Sequence, residues 1–239
     1  MSENKDINTI ANQLLNAQDN INNVATKFNR NTNSIVLMAV SKTKPIADIE
    51  AAYAAGQRVF GENYAQELFD KQQTLSHLKD IQWHYIGPIQ SNKTKIISQS
   101  ADWIDSVDRL KIIKRIDQHA KALNKTINLL IQVNISNSPQ KSGVSLDQVN
   151  ELAESINELK HVSLRGLMAI PDNYEPNADG QRPQLKAEFN LMFTCYSQLQ
   201  QQYPSVDTLS LGMSGDLDTA IECGSTMVRL GTAIFGKRK

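Results

Sequence analysis

Short apolar segments alternate with amphipathic helical segments along almost the whole chain. We predict eight strands, which cover residues 35–41, 58–61, 82–86, 103–106, 127–133, 163–169, 207–211 and 226–230. A helical pattern separates most neighbouring strands. Strands that alternate with helices form parallel sheets, and eight such units can close into a barrel. The sequence therefore predicts an α/β protein of the TIM type, a (β/α)8 barrel.

The length and continuity of the chain favour one domain. Single (β/α)8 barrels commonly have about 250 residues, and the 239 residues here contain no linker and no shift of composition. We therefore predict one barrel domain over 1–239. Residues 4–28 have a helical pattern before the first strand, and this extra N-terminal helix is expected to cover the place where an eighth outer helix is missing. An open, doubly wound sheet is the competitor, but no GxGxxG sequence follows any strand.

The balance of charge argues against two classes of partner. Lys plus Arg and Asp plus Glu number 25 each, so the formal net charge is zero. Such a balance gives no support to nucleic acid or an anionic membrane as the main partner. No apolar run approaches the roughly 20 residues that a membrane span needs, and the first residues lack the apolar core of a signal peptide. We expect a cytoplasmic protein.

The cysteines and histidines predict no metal site. Cys195 and Cys223 have no CxxC or Cys/His neighbour, so we interpret them as small buried hydrophobes in a reducing compartment. No pair of histidines has the spacing of metal ligands, and no Ser-His-Asp arrangement is indicated. The chemistry of the chain must therefore be sought elsewhere.

A lysine follows the first predicted strand. The apolar run 35–40 leads through Ser41 to Lys42, and a helix is predicted to begin near Pro45. The carboxyl ends of barrel strands are where such folds bind their ligands. Burial there favours a neutral amine, and a neutral amine can form a Schiff base with an aldehyde or ketone. The alternative is a lysine that marks the strand end and reaches water.

Two glycine-containing loops follow strands seven and eight, where barrels often bind phosphate. The first loop has the sequence LGMSGD and contains Ser214, and the second has the sequence RLGTAIFG and contains Thr232. The two hydroxyls can donate to an anion, and the glycines let the backbone approach it closely. Alternatively each loop is an ordinary turn, with Ser214 as the N-cap of the next helix.

Polar side chains at three other strand ends extend the candidate site. A buried Arg229 needs an acceptor, which is either a ligand at the barrel mouth or a carboxylate such as Glu62 or Asp105. Asn63 could orient a ring hydroxyl of a ligand. His84 is either an acid or base of the site or a hydrogen-bonded structural histidine.

Six motifs in this order resemble the pyridoxal phosphate homeostasis protein family. They are AVSKTKP, FGENYAQE, WHYIGPIQSNK, GLMAIP, TLSLGMSGD and STMVRLGTAIFG. The resemblance covers about residues 35–236, while the leading helix matches only in character, and Gly215 lies where members of the family vary. It implies the fold of the amino-terminal barrel of alanine racemase and pyridoxal 5′-phosphate as the cofactor.

The resemblance also implies roles for single residues. Lys42 of AVSKTKP would hold the cofactor as a Schiff base. The other residues expected to bind the cofactor are Asn63, Met168, Ser214, Arg229, Gly231 and Thr232. The two hydroxyls and the glycine would hold the phosphate, the arginine would face the pyridine nitrogen, and the asparagine and methionine would lie near the cofactor. No residue receives a catalytic role.

The function implied by the resemblance is buffering and delivery of pyridoxal 5′-phosphate, with apo-enzymes as partners and little turnover of amino acids. An arginine at the pyridine nitrogen keeps that nitrogen unprotonated, which makes the ring a poorer electron sink. Racemisation also needs a second base, which in alanine racemase comes from an extra β-domain of the partner subunit. This chain ends at Lys239 without that domain, so we expect a monomer without this base.

Two enzymatic alternatives stay open on the sequence alone. One is a racemase-like enzyme that depends on pyridoxal phosphate, with Tyr64 or His84 as the base. The other is a lysine-dependent aldolase, in which Lys42 forms its imine with the substrate and the phosphate loops bind a sugar phosphate.

Overall fold

The strands of this computed structural model, which describes residues 3–236 with side chains from residue 9 onward, form a closed parallel barrel in sequence order. They are β1 Val36–Val40, β2 Val59–Glu62, β3 Gln82–Tyr85, β4 Trp103–Val107, β5 Ile127–Val133, β6 Val162–Ala169, β7 Thr208–Ser210 and β8 Met227–Leu230. The predicted (β/α)8 barrel is confirmed, and each predicted strand end lies within one residue of the observed end. The first two and last three residues of the predicted domain 1–239 lie outside the described part.

Helices cover the outside of the barrel. They are α1 Glu3–Lys27, α2 Ile46–Ala54, α3 Ala65–Thr74, α4 Thr94–Ser100, α5 Leu110–Ala122, α6 Val149–Asn157, α7 Pro183–Gln202, α8 Leu217–Glu222 and α9 Thr232–Phe235. Buried apolar side chains of both layers form one continuous core. The sequence predicts only a loop after β8, and this is wrong, because the short helix α9 forms there and ends at Gly236 with φ of 73°. Among the described residues, no helix is long and apolar enough to cross a membrane.

Helix α1 covers the barrel between α8 and α2, as predicted. Its buried residues recur at the spacing of one helical face, and they are Ile10, Leu14, Ala17, Ile21, Val24 and Ala25. The helix packs against α2, α8 and α9. Beyond its end, Arg30 donates hydrogen bonds to the carbonyls of Ile221 and Ser225, at 3.0 and 2.6 Å. The leading helix is therefore joined to the barrel by both apolar and polar contacts.

The interior of the barrel has a small core of its own. Trp103, Leu130 and Met168 pack together, and the ring of His84 stacks on Trp103 with centroids 5.0 Å apart. The guanidinium of Arg165 lies over the same indole at 4.5 Å from its centroid. Arg165 is thus a structural residue. Met168 ends this core on the side where the strands end, and it forms the floor of the cavity described below.

Both cysteines are free thiols, with Cys223 buried and Cys195 half-buried. Burial, with a smaller contribution from the negative charge of Glu222, raises the pKa of Cys223 from 9.0 to about 11. Only the thiolate reacts with alkylating agents, so a rise of two pKa units lowers the reactive fraction about 100-fold. At pH 8 we expect iodoacetamide to label Cys223 at least about 100-fold more slowly in the folded protein than in urea, measured by peptide mass spectrometry. Equal rates in both states would contradict the burial of this thiol.

Candidate functional site

A cavity of about 340 Å³ opens at the carboxyl ends of the strands. It is lined by Val40, Lys42, Asn63, Ile86, Met168, Ile170, Met213, Ser214, Gly215, Arg229, Gly231 and Thr232. All seven residues predicted to bind the cofactor are among these lining residues. They come from strands or loops far apart in the sequence, and the closure of the barrel brings them to one place.

Lys42 lies in a tight turn between β1 and α2. The N–H of Ser41 donates to the carbonyl of Gly61 at 3.0 Å, and the N–H of Lys44 donates back to the carbonyl of Ser41 at 3.0 Å. Thr43, at the centre of this turn, has a φ of 62°. The turn leaves Lys42 half-buried at the wall of the cavity.

Lys44 has a different environment, although only one residue separates it from Lys42. Its Nζ donates to the carbonyls of Phe235 and Gly236, at 2.8 and 3.1 Å. These carbonyls lie at the carboxyl end of α9, where a positive charge is stabilising. Lys44 is not among the residues that line the cavity. The turn therefore gives the two lysines different surroundings.

Arg229 of β8 spans the ends of two neighbouring strands. Its Nη1 donates to the carbonyl and the hydroxyl of Ser210, at 2.8 and 2.7 Å, and its Nη2 donates to the carbonyl of Ala169 at 2.9 Å. Within the described part of the chain it makes no ion pair, and Glu62 instead pairs with Lys71. The suggested salt bridge of Arg229 to a carboxylate is therefore wrong. Neutral acceptors hold the guanidinium at the wall of the cavity.

Burial lowers the pKa of Arg229 from its ordinary value, and the negative charges of Asp216 and Asp105 oppose that shift. Arginine starts from so high a pKa that it keeps its proton in a protein. Burial likewise raises the pKa of Asp216, and the N–H of Met213 and the charge of Arg229 oppose the rise. The cavity therefore has a fixed positive charge that no carboxylate neutralises by direct contact among the described residues.

Asn63 follows β2 and also lines the cavity. Its side-chain oxygen Oδ1 is buried and has no hydrogen-bond partner among the described residues. A buried acceptor of this kind is costly unless a ligand or water satisfies it. Gly87 packs against the same residue, because a Cβ there would lie 2.0 Å from the Asn63 carbonyl oxygen. Only glycine allows this approach of the two loops.

The loops after β7 and β8 place two hydroxyls at the cavity. Gly212, with φ of 96°, turns the chain after β7, and Asp216 accepts the N–H of Met213 at 2.5 Å. Asp216 occupies the N-cap position of α8, so the interpretation of Ser214 as that cap is wrong. Ser214 is exposed and lines the cavity instead, and Thr232 lines it from the first position of α9.

Neither residue suggested as a catalytic base lines this cavity. His84 is fully buried inside the barrel, and its Nδ1 lies 3.0 Å from a carboxylate oxygen of Asp105. Its Nε2 has no partner in the described part of the chain. Tyr64 is 55% exposed at the start of α3. The structural interpretation of His84 is the one that the contacts support.

Sequence reasoning missed five residues of the lining. They are Val40, Ile86, Ile170, Met213 and Gly215. The first three come at or just after the ends of strands, which is the signal that could have identified them. The side chains of these three residues add apolar surface to the walls of the cavity. The lining thus combines one amine, one permanent cation, two hydroxyls and an unsatisfied amide oxygen, which suits an anionic, ring-shaped ligand with a carbonyl group.

The chain is similar to known proteins along most of its length. Residues 13–239 match the family model of the alanine racemase N-terminal domain. The chain is 44% identical over 233 residues to a protein of Pasteurella multocida named pyridoxal phosphate homeostasis protein, with 96% of this chain and 98% of the relative covered. A relative of the same name in Vibrio alginolyticus is 49% identical over 215 residues, with 89% and 90% covered.

A solved structure with a similar fold contains a ligand. PipY of Synechococcus elongatus, with PLP bound, is 36% identical and has a TM-score of 0.77, covering 95% of this chain and all of that one.

Proposed function

The chain belongs to the pyridoxal phosphate homeostasis protein family, and on that basis we propose that it holds pyridoxal 5′-phosphate as a Schiff base with Lys42 and delivers it to enzymes that require it. One observation carries the proposal. Lys42, Arg229 and the hydroxyls of Ser214 and Thr232 line a single cavity at the carboxyl ends of the strands. The relatives are named for pyridoxal phosphate, and PipY has PLP bound. Both observations support a cofactor in the cavity rather than the sugar phosphate of an aldolase.

The donors and acceptors of the cavity fit this cofactor. The unsatisfied Oδ1 of Asn63 can accept a hydrogen bond from the ring hydroxyl, and the hydroxyls of Ser214 and Thr232 can donate to the phosphate. Gly231 packs closely against β1, since a Cβ there would lie 3.1 Å from the carbonyl oxygen of Val40. Met168 would supply apolar surface next to the cofactor.

Lys42 supplies the amine and the turn around it directs that amine to the cavity wall. When bound, pyridoxal 5′-phosphate supplies an aldehyde that condenses with a neutral lysine amine to a Schiff base, with release of one water. Arg229 would donate to the pyridine nitrogen and, being permanently charged, keep a proton off that atom. A ring without that proton withdraws electrons poorly, so Arg229 favours storage of the cofactor over its use on amino acids.

Under the same proposal the protein catalyses little or no turnover of amino acids. A racemase needs a base on each face of the substrate carbon, and both Tyr64 and His84 lie off the lining of the cavity. We further propose that the protein acts as a monomer in the cytoplasm, with apo-enzymes as its partners. The relatives are named for homeostasis of the cofactor and not for a reaction, which supports this assignment.

Transfer and turnover assays test the proposal together. Protein loaded with pyridoxal 5′-phosphate and freed of excess cofactor is expected to restore the activity of an apo-aminotransferase, whereas a Lys42→Ala preparation treated in the same way is not. The loaded protein is expected to racemise neither alanine nor serine. Robust racemisation abolished by Lys42→Ala would identify an enzyme, and failure to restore the aminotransferase would contradict delivery.

A further inference from the structure

A buried cluster of charged side chains holds the backbone next to Lys42. It consists of Glu62, Glu67 and Lys71, and we call it the α3 cluster because Glu67 and Lys71 belong to that helix. The Nζ of Lys71 donates to Glu62 Oε1 and Glu67 Oε1, both at 2.7 Å. It also donates to the carbonyl of Ser41 at 2.8 Å. An ammonium has three N–H donors, and these three bonds use all of them.

The cluster binds the chain on both sides of Lys42. Lys71 holds the carbonyl of Ser41, the residue before the lysine, and Glu62 Oε1 accepts the Ser41 hydroxyl at 2.6 Å. Glu67 Oε1 accepts the N–H of Thr43, the residue after the lysine, also at 2.6 Å. Two neighbouring peptide groups are therefore fixed to one helix, and Lys42, which lies between them, lines the cavity.

The bond to Thr43 stabilises an uncommon backbone conformation. Thr43 has a φ of 62°, in the left-handed region that β-branched residues rarely adopt. Such conformations persist where the surrounding structure holds them, and they concentrate at functional sites. Glu67 Oε1 accepts a hydrogen bond from the N–H of Thr43. Glu67 therefore holds the residue with the unusual backbone conformation in the turn that carries Lys42.

The α3 cluster is more than a surface ion pair. The side chains of Lys71 and Glu62 are 6% and 0% exposed. Burial raises the pKa of Glu62, and the charge and hydrogen bond of Lys71 oppose that rise. Buried ion pairs are weak sources of stability, because desolvation offsets much of the attraction, but they can fix a specific geometry. None of the three residues lines the cavity, and Lys71 and Glu67 bind the backbone directly before and after Lys42.

We propose that the α3 cluster is a positioning device for Lys42, which holds the turn so that the lysine amine meets the aldehyde of the cofactor. The inference rests on the proposed function and deepens it. Glu67 and Lys71 act as positioning residues and do not touch the cofactor. The cluster therefore controls how fast the covalent bond forms, and it leaves the binding of phosphate to Ser214 and Thr232 unchanged.

Two substitutions of Glu67 test this separation. Glu67→Ala removes the acceptor of the Thr43 N–H, whereas Glu67→Gln keeps an oxygen at the same position. Rapid mixing with pyridoxal 5′-phosphate, followed by visible absorbance, gives the rate of covalent attachment. Titration with pyridoxine 5′-phosphate, which has an alcohol in place of the aldehyde, gives the affinity without covalent bonding. A misplacement of about 1 Å can cost on the order of 100-fold in rate.

We expect Glu67→Ala to slow attachment at least about tenfold with unchanged affinity for pyridoxine 5′-phosphate, and Glu67→Gln to restore most of the rate. Lys186→Met is a matched control. Lys186 lies on α7, and its Nζ also forms an ion pair with a glutamate, at 2.6 Å from Glu222 Oε1. Its rate is expected to equal that of the unaltered protein.

An unchanged rate in Glu67→Ala would overturn the inference, as would a parallel loss of affinity for pyridoxine 5′-phosphate. If Glu67→Ala does not fold, Glu67→Gln and Lys71→Gln provide the same comparison, and an unaltered rate in Lys71→Gln would again reject the role. Failure of the proposed function has a different signature, since the unaltered protein would then bind neither phosphorylated ligand.

Discussion

Replacing Lys42 with alanine is expected to abolish the visible absorbance that the protein acquires with pyridoxal 5′-phosphate. Lys42 is the one lysine among the lining residues of the cavity, and without its amine no Schiff base can form there. The variant is expected to fold normally, because the side chain is only half-buried and the turn is held by backbone contacts of Ser41 and Thr43. Weak non-covalent binding should remain, since hydrogen bonds to the charged phosphate contribute roughly 1.5 to 3 kcal/mol each.

Lys44→Ala is the matched control for this variant. Its Nζ binds the carbonyls of Phe235 and Gly236 and lies off the lining of the cavity. We expect Lys44→Ala to retain the absorbance of the unaltered protein, as followed by spectrophotometric titration. Loss of the absorbance in Lys44→Ala together with its retention in Lys42→Ala would exchange the roles of the two lysines.

Replacing Ser214 and Thr232 together with alanine is expected to lower the affinity for pyridoxal 5′-phosphate by between about 100-fold and 10,000-fold. Each hydroxyl would donate to the phosphate, each such bond contributes roughly 1.5 to 3 kcal/mol, and about 1.4 kcal/mol corresponds to a factor of ten. Pyridoxal has no phosphate, so its affinity should hardly change. Equilibrium titration of the two ligands measures the difference directly.

The control for this pair is the double variant Thr74→Ala and Thr194→Ala. These hydroxyls donate to helix carbonyls of Asp70 and Asn190 on the outer surface, at 2.8 and 2.9 Å. Their loss removes the same two groups without touching the cavity, so both affinities should stay unchanged. Equal losses for pyridoxal 5′-phosphate and pyridoxal in the Ser214 and Thr232 variant would show that these loops do not hold the phosphate.

The barrel could be predicted from sequence because most strands are short, largely apolar segments that alternate with amphipathic helical segments. Strand ends of a parallel barrel share one edge, and this rule alone groups Lys42, Arg229, Ser214 and Thr232. Helix α9 could not be predicted, because its four residues are too few to display a helical period.

Other features depended on contacts that a sequence does not reveal. Ser214 and Asp216 are both good N-cap residues, and only the geometry of the loop assigns the position to Asp216. The acceptors of Arg229 turned out to be carbonyls and a hydroxyl at the ends of β6 and β7 rather than a carboxylate. The α3 cluster joins β1, β2 and α3 through pairings that local patterns cannot specify.

Reduction with borohydride followed by peptide mapping tests the central claim most directly. Borohydride converts a Schiff base to a stable amine, so the lysine that holds the cofactor keeps a pyridoxyl group through digestion. In the protein incubated with one equivalent of pyridoxal 5′-phosphate, we expect the group on Lys42. A pyridoxyl group found chiefly on Lys44, or on a lysine outside the cavity, would contradict the account.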